Sequence, residues 1–259
     1  MNILLSGSLG FMGREVVKLS RAGCRGMVVT AGVDPGVCTD ESIPTYKSFD
    51  EVESPESFDC IIDFSHHSAT PKLLEFAVRN SLPVVLATTG QTEDELLSLK
   101  EAEKKIPIFH SANMSLGVAL LTELAKKAAS AMPDAEIEII EKHHDRKIDA
   151  PSGTALMIAN EICSVRPRAY TNCGRSGRKK RTEDEIGIHA VRLGNIVGEH
   201  EVIIGTQNQT ITLKHEAHSR ALFAEGAFSA AEFIVGCPAG IYDMKSIISG
   251  EKRADALII

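Results

Sequence analysis

The stretch that decides the fold is Asn2-Ile3-Leu4-Leu5-Ser6-Gly7-Ser8-Leu9-Gly10-Phe11-Met12-Gly13, an apolar run followed by evenly spaced glycines. The apolar run predicts a short buried strand, and residues 14–19 predict a helix. Glycines at a strand-to-helix turn permit a tight bend and let a pyrophosphate approach the helix N-terminus. The spacing Gly-x-x-Gly-x-x-Gly is less common than Gly-x-Gly-x-x-Gly, so the strand and helix context carries much of the prediction of a dinucleotide site.

An acidic residue follows the second predicted strand, which covers residues 27–33. Asp34 comes 34 − 13 = 21 positions after Gly13. In dinucleotide-binding domains, an acid about 20 residues beyond the glycine loop holds the ribose hydroxyls of the cofactor. Asp34 could also be a turn residue before Pro35, but the glycine loop favours the ribose role.

Strands and helices alternate through the first half of the chain. Buried strands are predicted at residues 60–65, 83–90 and 107–113, with helices over 69–80 and from Thr92. This alternation predicts a parallel, doubly wound α/β sheet. Residues 35–58 are polar and weakly periodic, and we interpret them as a loop region with one short helix as an option. His66 and His67 follow a strand at the ligand-binding end of the sheet, but such a pair is more often a surface feature.

The densest cluster of chemical groups is Glu141-Lys142-His143-His144-Asp145-Arg146-Lys147-Ile148-Asp149-Ala150-Pro151-Ser152-Gly153-Thr154-Ala155. It connects an alternating strand to a helix that begins near Ser152 or Thr154, and either hydroxyl could cap that helix. A helix N-terminus presents unpaired N–H groups to a carboxylate or phosphate. One helical turn between His143 and Lys147 would put both on one side, and both residue types can donate protons. The stretch predicts an anion site with acids attached; a polar loop with surface charges is the alternative.

The second half has a different pattern. Residues 114–132 predict a long apolar helix, whereas residues 187–192, 201–205 and 209–215 alternate and are rich in β-branched residues. These runs predict strands of a largely antiparallel or mixed sheet, followed by a final helix over 223–235. The basic, Gly-rich run 174–181 is interpreted as a solvated loop. A nucleic-acid patch and a mobile loop that meets an anionic substrate or cofactor are the alternatives.

Length, composition and charge limit the classes of protein to which this chain could belong. The 259 residues, 43% hydrophobic and 24% charged, fit one large or two modest globular domains. A net charge of −7 argues against nucleic acid as the main partner. No apolar run could span a bilayer and we identify no signal peptide, so we expect no membrane association. The 6 scattered cysteines, with no Cys-x-x-Cys pair, fit reduced thiols in a cytosolic protein.

On these residues, the chain resembles the 4-hydroxy-tetrahydrodipicolinate reductase (dihydrodipicolinate reductase) family of lysine and diaminopimelate biosynthesis. Residues 141–155 match the family signature, and residues 192–200 and 7–13 resemble a second family stretch and the nucleotide loop. The resemblance implies a Rossmann-like domain over 1–113 and 219–259 and a smaller α+β substrate and oligomerisation domain over 114–218. It implies a cytoplasmic homotetramer that transfers a hydride from NADH or NADPH to a cyclic imine dicarboxylate, giving tetrahydrodipicolinate.

The resemblance also implies roles for individual residues. His143 matches the proton donor or acceptor, Lys147 matches the proton donor, and His144 matches a histidine that contacts the substrate. Gly153 and Thr154 match residues that bind a substrate carboxylate. The implied cofactor positions are Gly7, Ser8, Leu9, Gly10, Phe11, Met12, Asp34, Ala87, Thr88, Thr89, Ser111, Ala112, Asn113 and Met114.

Departures from the family pattern favour NADH over NADPH. Family members often carry a basic residue after the ribose acid or in the glycine loop, whereas this chain has Pro35 and Phe11 there. Asp34 would also repel a 2′-phosphate. Ala87 replaces the glycine that is usual before the two threonines, and its small side chain should be tolerated.

Three other functions explain less of the sequence. A related NAD(P)-dependent dehydrogenase of an amino-acid derivative would not need the signature turn, and a dinucleotide-sensing module would need only the first half of the chain. A metal enzyme would use His143 and His144. Adjacent residues of an extended segment point to opposite faces, and no third ligand has suitable spacing, so we expect no metal site.

Overall fold

The structure is a computed structural model that describes residues 1–36 and 43–252. They form two compact units, one made of Met1–Ser115 and the segment that starts at Arg220, the other of Leu116–Ser219. Cys38 and the end of the predicted first domain, residues 253–259, lie outside the described residues. The other cysteines, Cys24, Cys60, Cys163, Cys173 and Cys237, are free thiols, as predicted.

Strands and α-helices follow one another through most of the first unit, except between the second strand and the fourth. In chain order they are β1 (Asn2–Ser6), α1 (Phe11–Arg21), β2 (Val28–Val33), β3 (Thr45–Tyr46), β4 (Cys60–Asp63), α2 (Thr70–Arg79), β5 (Val84–Leu86), α3 (Glu93–Ala102), β6 (Pro107–His110), α4 (Leu116–Ala131), β7 (Glu136–His143), α5 (Gly153–Val165), β8 (Tyr170–Cys173), β9 (Glu185–Arg192), β10 (Gly198–Gly205), β11 (Thr210–Ala217), α6 (Ala221–Ile234), β12 (Gly240–Tyr242) and α7 (Met244–Ser249).

The first unit is built on a 7-stranded sheet in the order β12-β6-β5-β4-β1-β2-β3, and its strand pairs are parallel. Leu4, Ile61 and Val84 lie in one core cluster with residues of α2 and α3. Neighbouring residues such as Leu5 and Ile62 are also fully buried. Strands buried on both faces are typical of a doubly wound parallel sheet, so the predicted Rossmann-like fold is confirmed.

The second unit has a 5-stranded sheet in the order β11-β10-β7-β9-β8. Its central strand β7 pairs antiparallel with β10 and parallel with β9, which confirms the predicted mixed sheet. Ile137 and Ile139 of β7 pack with apolar side chains of α4 and α5, including Leu121 and Ile158. Alternate residues of β7 point to the opposite, more exposed face.

Several boundaries differ from the predictions. Helix α1 begins at Phe11 instead of residue 14, because Gly10 already has the extended conformation of an N-cap. Strands β3, β8 and β12 were not predicted; their 2, 4 and 3 residues lack the aliphatic runs that identified β4 and β5. Within residues 1–36 and 43–252, none of the helices has the length and apolar character needed to cross a membrane.

Candidate active site

His143 is the last residue of β7 and lies on the face of the sheet that α4 and α5 cover. Its Nδ1 is 2.6 Å from Oε2 of Glu141, two positions earlier on the same face. Its ring meets that of His200 edge to face, with the centroids 5.2 Å apart. A Cβ atom at Gly198 would lie 3.1 Å from Nε2 of His143, so glycine on β10 leaves room for the ring.

Glu141 is completely buried, and each of its carboxylate oxygens accepts two hydrogen bonds. Arg192 donates to both oxygens, at 2.7 Å to Oε2 and 2.8 Å to Oε1. The backbone N–H of Ser152 donates to Oε1 at 2.9 Å, and His143 occupies the second position on Oε2. Burial acts to raise the pKa of Glu141, but the hydrogen bonds from Arg192 and His143 outweigh it and hold that pKa below its ordinary value. The carboxylate is therefore ionised near neutral pH.

Burial also lowers the pKa of His143 below its usual value. Glu141 partly offsets this effect through its hydrogen bond and charge, while Lys147 and Arg192 lower the pKa further. Because Glu141 is an ionised acceptor, the neutral ring carries its proton on Nδ1. Nε2 is then the atom that can accept a proton or, once protonated, donate one.

The helical turn considered between His143 and Lys147 does not form. The strand ends at His143, and a tight turn follows in which the N–H of Lys147 donates to the carbonyl of His144 at 3.2 Å. Nζ of Lys147 lies 2.8 Å from Oδ1 of Asp149. Hydrogen bonds from Lys147, and from the N–H of Gly153, lower the pKa of Asp149. The carboxylate of Asp149 thus accepts hydrogen bonds from Lys147, the predicted proton donor, and from the N–H of Gly153, which was predicted to bind a substrate carboxylate.

Ser152 is the N-cap of α5, which decides between the two predicted hydroxyls. Its Oγ accepts the N–H of Ala155 at 3.2 Å and lies 3.1 Å from Nε2 of His200. Burial, with a smaller contribution from His143, lowers the pKa of His200 to about 4, so this ring is neutral at physiological pH. The buried cap therefore joins the start of α5 to the histidines of β7 and β10.

Two of the three predicted substrate-binding residues begin this helix, and the third, His144, directly follows β7. Gly153 is the first residue of α5, is exposed, and has open space where a side chain would be. Thr154 follows it and is half-buried. Nδ1 of His144 is buried and has no hydrogen-bonding partner among the described residues. These features suit an anionic ligand with several oxygen atoms.

The glycine loop of the first unit connects β1 to α1. Gly7 has a φ of 76°, and a Cβ atom there would lie 2.6 Å from the carbonyl oxygen of Phe64, so this position requires glycine. Oγ of Ser8 is buried and lacks a hydrogen-bonding partner within the described chain. Gly10 caps α1 without a side-chain hydrogen bond, and Phe11 is 61% exposed. The start of α1 therefore fits the pyrophosphate of a dinucleotide.

Asp34 directly follows β2, and its carboxylate faces the glycine loop. Oδ2 accepts the N–H of Leu9 at 3.0 Å, and Oδ1 accepts the N–H of Gly36 at 2.9 Å. The acid is thus fixed beside the glycine loop, directly after the second strand of the sheet. Met12 lies in the first turn of α1 and is half-buried.

The residues predicted to lie near the nicotinamide follow the carboxyl ends of β5 and β6. Between Ala87 and Thr89, Thr88 is buried and its hydroxyl donates to Oδ2 of Asp63 at 2.6 Å. The hydroxyl of Ser65 donates to Oδ1 of the same acid at 2.6 Å, and burial raises the pKa of Asp63.

A second short loop follows β6. The hydroxyl of Ser111 donates to the carbonyl of Asn113 at 2.9 Å, across Ala112, and Met114 is buried. Together the predicted cofactor residues lie at the carboxyl ends of β1, β2, β5 and β6, the edge at which parallel sheets bind ligands.

His66 is exposed, whereas His67 is half-buried. Their rings are 4.1 Å apart, and Nδ1 of His67 lies 2.9 Å from Oε2 of Glu95. Glu95 also completes the capping box of α3 with Thr92. Among the residues that the structure describes, no group of 3 or more His, Cys, Asp and Glu side chains could hold a metal ion.

The basic run 174–181 is only partly solvated. Arg175 pairs with Glu185, and Arg181 lies 3.2 Å from Glu138, so two of its arginines bind acids of the sheet. The intervening Arg178, Lys179 and Lys180 are exposed.

The sequence interpretation missed three residues of the site, namely the buried Glu141 and His200 and the half-buried Arg192. Glu141 begins the signature stretch 141–155 but was given no role there. Arg192 was predicted to end a strand, and His200 lies in the stretch 192–200 that resembles the family, but neither was given a role. The alternation of β7 contained a signal, because Glu141 is in phase with Ile137 and Ile139 on the buried face. An acid on a buried face needs a partner, which indicates a nearby cation.

Comparisons with known proteins match both halves of the chain to one family. Residues 1–114 match the family described as dihydrodipicolinate reductase, N-terminus, and residues 117–248 match dihydrodipicolinate reductase, C-terminus. The 4-hydroxy-tetrahydrodipicolinate reductase of Caldanaerobacter subterraneus subsp. tengcongensis is 46% identical over 96% of this chain and 98% of that protein. The Clostridium novyi protein of the same name is 43% identical over 96% and 98%. A dipicolinate-bound dihydrodipicolinate reductase from Paenisporosarcina sp. TG-14 has a TM-score of 0.80 and 25% identity, covering 94% of this chain and 97% of its own.

Proposed function

This chain belongs to the dihydrodipicolinate reductase family, and from that premise we infer that it is an NAD(P)H-dependent reductase of lysine and diaminopimelate biosynthesis. Its reaction converts (2S,4S)-4-hydroxy-2,3,4,5-tetrahydrodipicolinate into (S)-2,3,4,5-tetrahydrodipicolinate. Replacing the 4-hydroxyl group by hydrogen consumes one hydride and one proton and releases one water. The reduced nicotinamide supplies the hydride when it is bound.

The observation that carries the assignment is the pair formed by His143 and Glu141 next to the exposed first residue of α5, Gly153. A dicarboxylate substrate needs an anion site, and the reaction needs a proton. We assign proton transfer to His143 and Lys147, since both are titratable and each is held by an acidic neighbour.

Substrate recognition is assigned to Gly153, Thr154, His144 and Lys147. The carboxylate of Asp149 now accepts from Lys147 and from the N–H of Gly153, so these donors suit a carboxylate group. A substrate carboxylate would take the place of Asp149 there. The buried and unpartnered Nδ1 of His144 supports a role for that ring in the bound state.

The cofactor residues are the glycine-loop positions Gly7 to Met12, Asp34, and the loops after β5 and β6. We propose that the chain prefers NADH. Asp34 faces the loop with an ionisable carboxylate, and the neighbouring Pro35 and Phe11 offer no positive charge to a 2′-phosphate.

We further propose that the boundaries 1–113 with 219–259, and 114–218, separate a dinucleotide-binding domain from a substrate and oligomerisation domain. A cytoplasmic homotetramer is proposed on the family resemblance. The face of the second sheet opposite α4 and α5 supports an interface, because it carries the partly exposed Ile140, Val191 and Ile203. Light scattering after gel filtration would measure the assembly, and a monomeric mass would refute it.

The first experiment is an oxidation assay followed at the nicotinamide absorbance. Pyruvate and aspartate semialdehyde are coupled freshly by the preceding synthase, and NADH and NADPH are compared, with the synthase omitted as the control. Oxidation that depends on the synthase would support the reaction, and the ratio of the two rates would test the preference. Absence of oxidation from a folded protein that binds nucleotide would point to a related reductase with another substrate.

A further inference from the structure

We propose that Glu141 is a positioning residue of the reduction, which holds His143 in one orientation and one tautomer and ties its ring to the start of α5. The inference rests on the proposed function, since it concerns the histidine assigned to proton transfer there. Neither the sequence signature nor the comparisons give Glu141 a role.

The first support is the saturation of the carboxylate. An ionised carboxylate has about four lone-pair sites, and in Glu141 hydrogen bonds from Arg192, Ser152 and His143 occupy four positions. A group bound on every side cannot rotate without losing one of these bonds. The carboxylate that orients the ring of His143 is therefore itself fixed in place by Arg192 and Ser152.

The second support is that the three residues whose N–H groups bind Glu141 belong to different parts of the second unit. His143 ends β7, Arg192 ends β9, and Ser152 precedes α5. Arg192 also donates to the carbonyl of Asp149 at 2.6 Å, within the loop before α5. The carboxylate of Glu141 thus fixes the distance between the ring of His143 and the start of α5. His143 is assigned to proton transfer, and the start of α5 is assigned to binding a substrate carboxylate.

The alternative is a purely structural role. The pair Glu141–Arg192 joins β7 to β9, and a buried ion pair can do that without any influence on chemistry. Such a role would affect the melting temperature and leave the tautomer of His143 and the pH dependence of turnover unchanged. The two roles are therefore separable.

The charges that face His143 come from every element around it: Glu141 on β7, Lys147 in the following turn, Arg192 on β9 and His200 on β10. Of these, only Glu141 raises the pKa of His143. Removing its charge lowers that pKa further. Activity that requires protonated His143 is lost as the pH rises through this pKa, so the loss should begin at a lower pH in Glu141→Gln.

The experiment compares wild type, Glu141→Gln and Glu141→Asp. Glu161→Gln is the control, since it removes a partly buried carboxylate of the same unit, 2.9 Å from Lys126. Histidine tautomers are read from ¹⁵N NMR of labelled protein, with the signal of His143 identified by His143→Asn. We expect Glu141→Gln to lose the Nδ1–H form and to lower kcat by about 10²- to 10⁴-fold, as when an orienting acid behind a histidine is removed. KM for the nicotinamide should stay unchanged.

The NMR measurement needs no substrate, so it tests Glu141 even if the proposed reaction fails. Glu141→Asp keeps the charge but is one methylene shorter. It should lose activity at the same pH as wild type, with a lower kcat. It replaces Glu141→Gln in the test if Glu141→Gln does not fold. Retention of the wild-type tautomer and pH profile in a variant that only melts earlier would overturn the proposal.

Discussion

Gly198 offers a direct test of the environment of His143. In Gly198→Ala, the new methyl carbon would start 3.1 Å from Nε2 and 3.5 Å from Cδ2 of the ring. The ring must give way by a few tenths of an ångström, but its other nitrogen is held at 2.6 Å by Glu141. Breaking a hydrogen bond to a charged group costs roughly 1.5–3 kcal/mol, and overpacking costs roughly 1–3 kcal/mol. Any movement of the ring away from the new methyl group therefore costs free energy.

We expect Gly198→Ala to lower kcat/KM by about 10²-fold, because misplaced catalytic groups lose rate steeply and the methyl group covers part of Nε2. The matched control is Gly205→Ala on the same strand, where the new methyl group would lie 3.3 Å from Oγ1 of Thr210 and no site residue is among its nearest neighbours. Both variants are assayed by steady-state NADH oxidation and by thermal unfolding. Near-normal kcat/KM in Gly198→Ala would refute the idea that Nε2 needs this space, and an equal loss in Gly205→Ala would show that strand crowding alone lowers activity.

Three further changes probe other parts of the molecule. Lys147→Ala should lower kcat by about 10²- to 10⁴-fold while NADH affinity, measured by fluorescence titration, stays nearly intact; loss of NADH binding would contradict the assignment of cofactor and substrate to separate residues. Asp34→Asn should raise the ratio of kcat/KM for NADPH to that for NADH by about tenfold, since a like charge near a phosphate is worth roughly 1–2 kcal/mol at a partly exposed position; an unchanged ratio would mean that another residue sets the preference. Ser152→Ala removes the N-cap of α5 and should destabilise the protein by about 1 kcal/mol, seen as a lower melting temperature; an unchanged melting temperature would show that the cap contributes nothing.

The sequence was most informative where local chemistry and periodicity coincide. The glycines of 7–13 mark a bend that only they permit, as the close approach of Gly7 to Phe64 shows. Asp34 could be placed by counting, because the length of the βαβ unit is nearly constant. The start of α5 was predicted to within the choice of cap, since Ser152 and Thr154 both have hydroxyl groups.

The network behind the site could not be predicted in the same way. Arg192 is 51 residues from Glu141 along the chain, and they meet only because β7 and β9 are parallel neighbours. Strand pairing over such a separation leaves no local pattern in the sequence. The helical turn considered between His143 and Lys147 is absent: the pairing of β7 with β9 continues to His143, and a tight turn follows it.

The position of the site on the central strand of a sheet also bears on how the enzyme recovers from denaturation. Helices α4 and α5 can form from local interactions, whereas the contacts of Glu141 with Arg192 close a loop of 51 residues. During refolding, helical circular dichroism should therefore return before catalytic turnover. The rate at which turnover returns then measures how fast β7 pairs with β9 and β10 to complete the second sheet.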